Sequence, residues 1–318
     1  MQKTGRVRAA LGRFRRKYGI GTCFYLPFFL LFCLFTIIPV FVSMYTSLTD
    51  YDMLGQMHFV GLKNYANLFL YDENFLLAVK NTFLIGGVSG VVGYLASFLF
   101  AWLINGMKLK KVYTVLFYMP SIAGGMTVIW DYLFSGDRYG LINNALINMG
   151  LLSQPIVWNR DADWIVPINM LIIIWGSMGT GFLVFLAGLQ NEDKQLIEAG
   201  RIDGIRSSAQ ELWYIVLPQM KPQLLFGAIN SIVAALGVFP SFGGFPSPNY
   251  VAHTLAAHIQ DHGFLRFEMG YASAVSMVLF LLSFILGQVV IRVLSDRTPR
   301  RPRRIRLFGG KGGDTDGR

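Results

Sequence analysis

Six stretches of the chain contain no Asp, Glu, Lys or Arg: residues 18–49, 81–107, 112–130, 164–191, 222–260 and 269–291. An α-helix needs roughly 20 mostly apolar residues to cross the hydrocarbon layer of a membrane. Inside that layer only helices and closed barrels satisfy their own backbone. The six windows therefore predict an all-α integral membrane protein with six transmembrane helices. The fifth window is too long for one helix. Its far half, from Gly243 to Asn249, is rich in glycine and proline and reads as turns, so the span is expected to end near Pro240.

Composition excludes the alternatives. Of 318 residues, 53% are hydrophobic and only 14% charged, against about 25% charged in an ordinary soluble domain. Cys23 and Cys33 lie in one apolar stretch with no CxxC pair, so neither a disulfide framework nor a zinc or redox motif is supported. The first apolar run far exceeds the roughly 7–15 residues of a secretory signal core and is retained as a span.

A seventh apolar candidate, residues 139–159, carries Asn143, Asn144, Asn148, Gln154 and Pro155. Amides buried in lipid without partners are costly, so a short helix at the surface is expected there. Charge supports six spans. Residues 1–19 hold 7 Lys and Arg, 105–111 hold 3, 191–221 hold 4 and 292–318 hold 9, leaving five of the 28 for the alternate segments. By the positive-inside rule both termini are cytoplasmic. The formal charge of +10 thus belongs to loops and tails. The run Arg300 to Arg306 has no aromatic or folded context, so anionic lipid headgroups, not nucleic acid, are its expected partner. The expected division is a basic N-terminus (1–19), a six-span domain (20–295) and a basic disordered tail (296–318).

The loop 191–221, between the fourth and fifth spans, carries the most local information. Gln195 to Ile202 reads as a short helix anchored by Leu196, Ile197 and Ile202. Ala199 and Gly200 sacrifice bulk, and the glycine about 1 kcal/mol of helix propensity, which suits close approach to another surface. Asp203-Gly204 is a turn, with glycine free to take positive φ. Ser208 with Glu211 reads as a capping box opening a second helix. Pro218 is expected to stop that helix, and Pro222 suits the first turn of the fifth span.

Glu198-Ala199-Gly200, Asp203-Gly204 and Ile215 to Pro218 together resemble the EAA loop of ABC importer permeases, which runs EAA, then DG, then I-x-LP. The segment Phe59-Val60-Gly61-Leu62-Lys63-Asn64-Tyr65 resembles the outer FVGLxNY segment of the sugar-permease branch. Asn81-Thr82, Pro120 and Gly140 to Asn143 also fit that branch. The resemblance covers residues 20 to 295. Gly200 stands where the pattern has its second alanine, and Ile205 where an alanine usually follows Asp-Gly.

What the resemblance implies is a subunit of a type I importer in a bacterial plasma membrane. Its EAA loop would be the coupling helix, seated in a groove of a cytoplasmic ATPase subunit, with Glu198, Ala199, Gly200, Asp203 and Gly204 in that role. Gly200 is expected on the seated face. The implied partners are a second permease subunit, two ATP-binding subunits, an extracytoplasmic solute-binding lipoprotein and a sugar. ATP and Mg would be bound by the ATPase partners. This chain has no P-loop, since Gly309-Gly310-Lys311-Gly312 lacks the GxxxxGK[S/T] spacing. It is therefore expected to be a transport subunit and not an enzyme.

Within the spans, Asn230 is a candidate for the substrate path or for a hydrogen bond to a neighbouring helix. Trp175 is a candidate for stacking on a sugar ring or for packing. Gly176, Gly179 and Gly181 read as close helix contact or a loosened helix. His253, His258 and His262 share an outer segment with Asp261. Their spacings of five and four only partly share a helical face, so a short outer helix beneath a docked binding protein is expected there and no metal site. Arg266 and Glu268 read as interfacial anchors. Two alternatives stay open: an ABC permease for another solute such as glycerol phosphate, and an ion-coupled secondary transporter. The second ordinarily needs ionisable groups at mid-membrane depth, which the six windows lack apart from the outer half of the fifth.

Overall fold

The computed structural model describes residues 24–122 and 126–294, and among these it is helical, with a single isolated bridge between Thr49 and Phe59. The two terminal regions expected at 1–19 and 296–318 lie outside the described residues. Four helices are long and apolar enough to cross a membrane: α1 (Phe24–Thr46), α3 (Glu73–Asn105), α7 (Ala162–Gln190) and α12 (Met269–Leu294). Between them lie α2 (Lys63–Leu70), α4 (Lys110–Ile122), α5 (Met126–Leu133) and α6 (Leu141–Asn148). Then come α8 (Lys194–Ile202), α9 (208–219), α10 (Lys221–Leu236) and α11 (Leu255–Gln260).

Among the described residues each of the six apolar windows holds helix, but only four contain a helix long enough to span, and two do not. The third is shared by α4 and α5. The fifth yields α10, which ends at Leu236, a turn earlier than expected. α7 is interrupted at Met178 and Gly179, so the glycine-rich stretch there is a local break.

α3 is the central helix. It packs along both halves of α7 and against α10, while α12 packs on α1, α10 and α11. Small residues permit this closeness. Gly86, Gly90 and Gly93 recur at helical spacing along α3. A Cβ on Gly86 would fall 1.9 Å from the Ala235 carbonyl oxygen, and one on Gly93 would fall 2.1 Å from Ser177 Oγ. Small faces of this kind let apolar helices associate where water supplies no driving force. Ser231 Oγ adds a hydrogen bond to the Gly90 carbonyl (3.2 Å).

The loops at the N-terminal end of α3 are held by asparagines. Asn64 donates to the carbonyls of Ser47 and Thr49 at 2.9 and 2.8 Å. Asn81 donates to those of Tyr250, Val251 and His253 at 3.0–3.3 Å. Asn169 pairs with both the N–H and the carbonyl of Phe242. Asn143 is fully buried. Its amide donates to Ser135, Asp137 and Ile156, and its oxygen accepts from Ile156 N and Trp158 Nε1. The expectation of a short helix in 139–159 matches α6, whose Asn144 and Asn148 face outward. Asn143 itself is interior, because five protein partners replace the water it lost.

The outer histidines are also interior. α11 continues into a π-helical turn, Asp261–Leu265, and His253, His258 and His262 are all buried. Burial pushes His253 and His258 down to about 4, so both are neutral. Arg266 and Glu268 are not free anchors. Arg266 pairs with the buried Asp261 at 2.7 Å, and Glu268 holds His262 Nδ1 at 2.6 Å.

The closeness of α3 to α10 is testable. Gly86→Ala should destabilise the purified chain by about 1–3 kcal/mol, as overpacking does. At Gly87 nothing lies within 4 Å of an added Cβ, so Gly87→Ala should be neutral or slightly stabilising. Thermal unfolding in detergent measures both; equal midpoints for the two variants would refute the contact.

Candidate functional site

The 191–221 loop folds into two short helices set against each other. Asp193 caps α8, its carboxylate accepting from Gln195 N at 2.9 Å. α8 closes at Asp203, and Gly204 takes φ +103°, a conformation nearly reserved for glycine. Ile205 N then returns to the Gly200 carbonyl at 3.0 Å.

The second helix is opened by Ser207 with Gln210, one residue before the expected Ser208 and Glu211. Gln210 N donates to Ser207 Oγ at 3.2 Å, and Gln210 Oε1 accepts from Ser207 N and Arg206 N. Glu211, relieved of capping, meets Arg201 of α8 at 3.2 Å and braces the two helices. Pro218 does not stop α9, which runs on to Gln219. The wider π turn Leu212–Val216 just before it accommodates a proline that lacks an N–H. Pro222 sits in the first turn of α10 as expected.

Gly200 packs inward. A Cβ there would fall 2.4 Å from Ile215 Cδ1 and 3.1 Å from Ile205 Cδ1. Its missing side chain therefore serves the contact between the two loop helices, and the expectation that it lies on an outward, seated face is corrected. Ile202 is corrected in the opposite sense. Expected as an anchor of α8, it is 87% exposed, and Leu196 is also exposed. Glu198, Ala199, Asp203 and Gly204 are exposed as well. The Glu198 and Asp203 carboxylates make no hydrogen bond or ion pair among the described residues. α8 thus presents to the outside an apolar tip with acidic groups on either side.

The loop is fixed to the bundle by its second half. Val216 and Met220 are buried in one apolar cluster with Ala101 and Ile104 of α3 and Phe182, Phe185 and Leu189 of α7. Gln219 Oε1 accepts from Asp193 N at 3.0 Å. Glu192 sits at this junction with Oε1 buried and without a hydrogen-bond partner among the described residues. Burial, aided by the nearby Glu211 charge, pushes its carboxyl up to about 7.

The two candidate path residues lie in different cavities. Asn230 borders one of about 400 Å³ between α3, α7 and α10, with Tyr94, Ser97, Ser177, Phe226 and Ser231. Its amide donates to the Phe226 carbonyl of its own helix at 3.0 Å, and among the described residues it makes no bond to a neighbouring helix. Trp175 borders a smaller cavity of about 270 Å³ with Leu116, Phe117 and Met178. It meets Trp130 edge-to-face at 6.4 Å.

Glu192 gives the loop a pH dependence. Its folded pKa lies above the unfolded value of 4.5, so its contribution to stability is complete below pH 4.5 and is lost as pH rises through 7. Glu192→Gln should raise the thermal midpoint at pH 8 and leave it nearly unchanged at pH 5. A midpoint that falls at pH 8 would show that the charged form is the favoured one.

No protein-family model matches the sequence. Curated relatives do. The chain is 30% identical over 286 residues to the probable ABC transporter permease protein YesP of Bacillus subtilis, covering 86% of this chain and 90% of that protein. It is 28% identical to the lactose transport system permease protein LacF of Rhizobium radiobacter, covering 86% and 93%. It is also 28% identical to the sn-glycerol-3-phosphate transport system permease protein UgpA of Yersinia pestis, covering 85% and 94%. Among solved structures, a chain of a bacterial alginate ABC transporter, crystallised with a periplasmic protein bound to alginate pentasaccharide, shares the fold. Its TM-score is 0.74 at 20% identity, covering 88% of this chain and 96% of that one.

Proposed function

The chain belongs to the ABC transporter permease family, and on that premise we propose that it is one membrane subunit of an ATP-driven carbohydrate importer. It would cross a bacterial plasma membrane six times with both termini in the cytoplasm, pair with a second permease subunit and form half of the translocation path. Two ATP-binding subunits would supply the hydrolysis, and an extracytoplasmic solute-binding lipoprotein would deliver the sugar. Membership of this family sets aside the ion-coupled carrier.

The observation that carries the coupling role is the exposed apolar tip of α8. Ile202 and Leu196 lie outward on the first helix of a loop whose second half is fixed to α3 and α7 through Val216 and Met220. A groove that seats Ile202 between Glu198 and Asp203 would grip the bundle by a rigid handle. Gly200 and Gly204 shape that handle, and Glu198, Ala199, Ile202 and Asp203 form its contact face.

A neutral carbohydrate is favoured as substrate by the relative named for lactose and by the cavity beside Asn230. Its polar lining is hydroxyl and amide, from Tyr94, Ser97, Ser177, Asn230 and Ser231, with no basic side chain. A second reading, glycerol phosphate, rests on the likeness to the UgpA relative. Uptake of labelled oligosaccharide by cells carrying the full transporter, challenged with unlabelled lactose or glycerol 3-phosphate, separates the two. Inhibition by glycerol phosphate alone would overturn the carbohydrate reading.

The coupling face has its own test. Ile202→Asp replaces an exposed side chain, so the isolated chain should unfold at its wild-type temperature. Recovery of the ATPase subunits in pull-down should fall at least tenfold, a loss of about 1.4 kcal/mol or more. Unchanged recovery and unchanged uptake would remove Ile202 from the interface.

A further inference from the structure

We propose that Asp72, His258 and His262 form a binding site for one divalent transition-metal ion of the zinc class, at the end of α3 opposite the 191–221 loop. The three come from two parts of the chain, Asp72 ahead of α3 and the two histidines one turn apart on α11 and its π-helical continuation. Asp72 precedes α3 as its N-cap, with Oδ1 accepting from Phe75 N at 3.0 Å. That leaves Oδ2, which accepts from Tyr271 OH at 2.5 Å and faces the two imidazoles. Oδ2 lies 3.2 Å from His258 Nε2 and 3.9 Å from His262 Nε2. All three ligand atoms fall within 4.8 Å of one another. A tetrahedral ion with bonds of roughly 2.0–2.1 Å needs ligand separations of about 3.3–3.4 Å, so shifts on the order of 1 Å close the site.

An unsatisfied atom points to the same place. His258 Nε2 is buried and, despite its nearness to Asp72, makes no hydrogen bond among the described residues. Buried ring nitrogens ordinarily find a partner, and a metal ion at this point supplies one. The far nitrogens are already engaged, as those of metal-ligating histidines are. His262 Nδ1 is held by Glu268 Oε2 at 2.6 Å, and His258 Nδ1 by His253 Nε2 at 3.1 Å. Both contacts turn an Nε2 inward.

The setting suits the ion. Apolar Phe75, Leu255 and Val275 pack beneath the cluster. Asp72, His262 and Tyr271 border a cavity of about 650 Å³ whose lining also carries Asp50, Asp52, Glu73 and Glu268 against one cation, Arg266, itself paired with Asp261, a net acidic surface that attracts cations. Two imidazoles and one carboxylate match zinc-class ions, whereas calcium and magnesium take oxygen ligands in larger number. Spacing within the outer segment could not show this, because the third ligand lies far away in sequence. The ion would tie the start of α3 to α11 and to the turn before α12.

The full-length chain, purified with a histidine-free affinity tag and stripped with chelator, should bind one Zn²⁺ per chain in calorimetric titration with Zn²⁺ alone. With Co²⁺ it should show the intense visible absorption of a four-coordinate ion. Zn²⁺ should raise the thermal midpoint, since it binds the folded chain preferentially. His262→Gln and Asp72→Asn, the latter keeping the helix cap, should weaken Zn²⁺ binding about 100-fold or more. Glu268→Gln, on a half-exposed side chain, should weaken it roughly 10–100-fold. A wild-type chain that takes up no stoichiometric Zn²⁺ at about 10 μM overturns the site however the variants fold. So does binding of equal strength in wild type, Asp72→Asn and Glu268→Gln.

Discussion

Where a helix ends at the edge of an apolar layer, its last backbone amides and carbonyls lose both the helix and easy access to water. Four buried asparagines settle that problem here, and the other contacts depend on where they fasten the chain. Asn64 binds the strand-like exit from α1, Asn81 the loop before α11, Asn143 both sides of α6, and Asn169 the loop after α10. An unpaired buried polar group costs about 1–3 kcal/mol, so each clamp secures several such groups at once. With these loops fixed, α3 can lie close enough to α10 for Gly86 to touch the Ala235 carbonyl.

The same residues explain what was legible in the sequence. Asn64, Asn81-Thr82 and Gly140 to Asn143 could be recognised as a pattern, but the pattern did not disclose their contacts. The structure does. Thr82 Oγ1 accepts from Leu255 N at 2.8 Å, beside the Asn81 clamp. The apolar windows located the four long apolar helices because charge exclusion is strict in lipid, and Gly204 was legible because positive φ has few other occupants. Facing directions were not legible. Gly200 and Ile202 sit two residues apart on a nine-residue helix; small size and the resemblance placed the first outward, and hydrophobicity placed the second inward, each on the wrong side. The capping box slipped by one residue because Ser207 and Ser208 are adjacent and each has a capable side chain three positions on. Asp72 joined the histidines through tertiary packing that no local spacing encodes.

The two ends of the bundle are held by different physics. Around the N-terminal end of α3 an apolar cluster of Phe75, Leu255 and Val275 is overlaid with hydrogen bonds and ion pairs of fixed geometry: the asparagine clamps, Asp72 with Tyr271, and Asp261 with Arg266. Around its C-terminal end the contacts are apolar: Ala101 and Ile104 against Phe182, Phe185, Val216 and Met220. Apolar contact is non-directional and tolerates sliding, while a clamp such as Asn143 loses five bonds at once if displaced. In the proposed transport role, force applied at Ile202 enters through Val216 and Met220 and reaches α3 and α7 together. The break at Met178 and Gly179 divides α7 between the two regimes, since Phe182, Phe185 and Leu189 lie on the loop side and Asn169 on the clamped side. A helix interrupted at that point can follow the loop with one half while the other stays fastened.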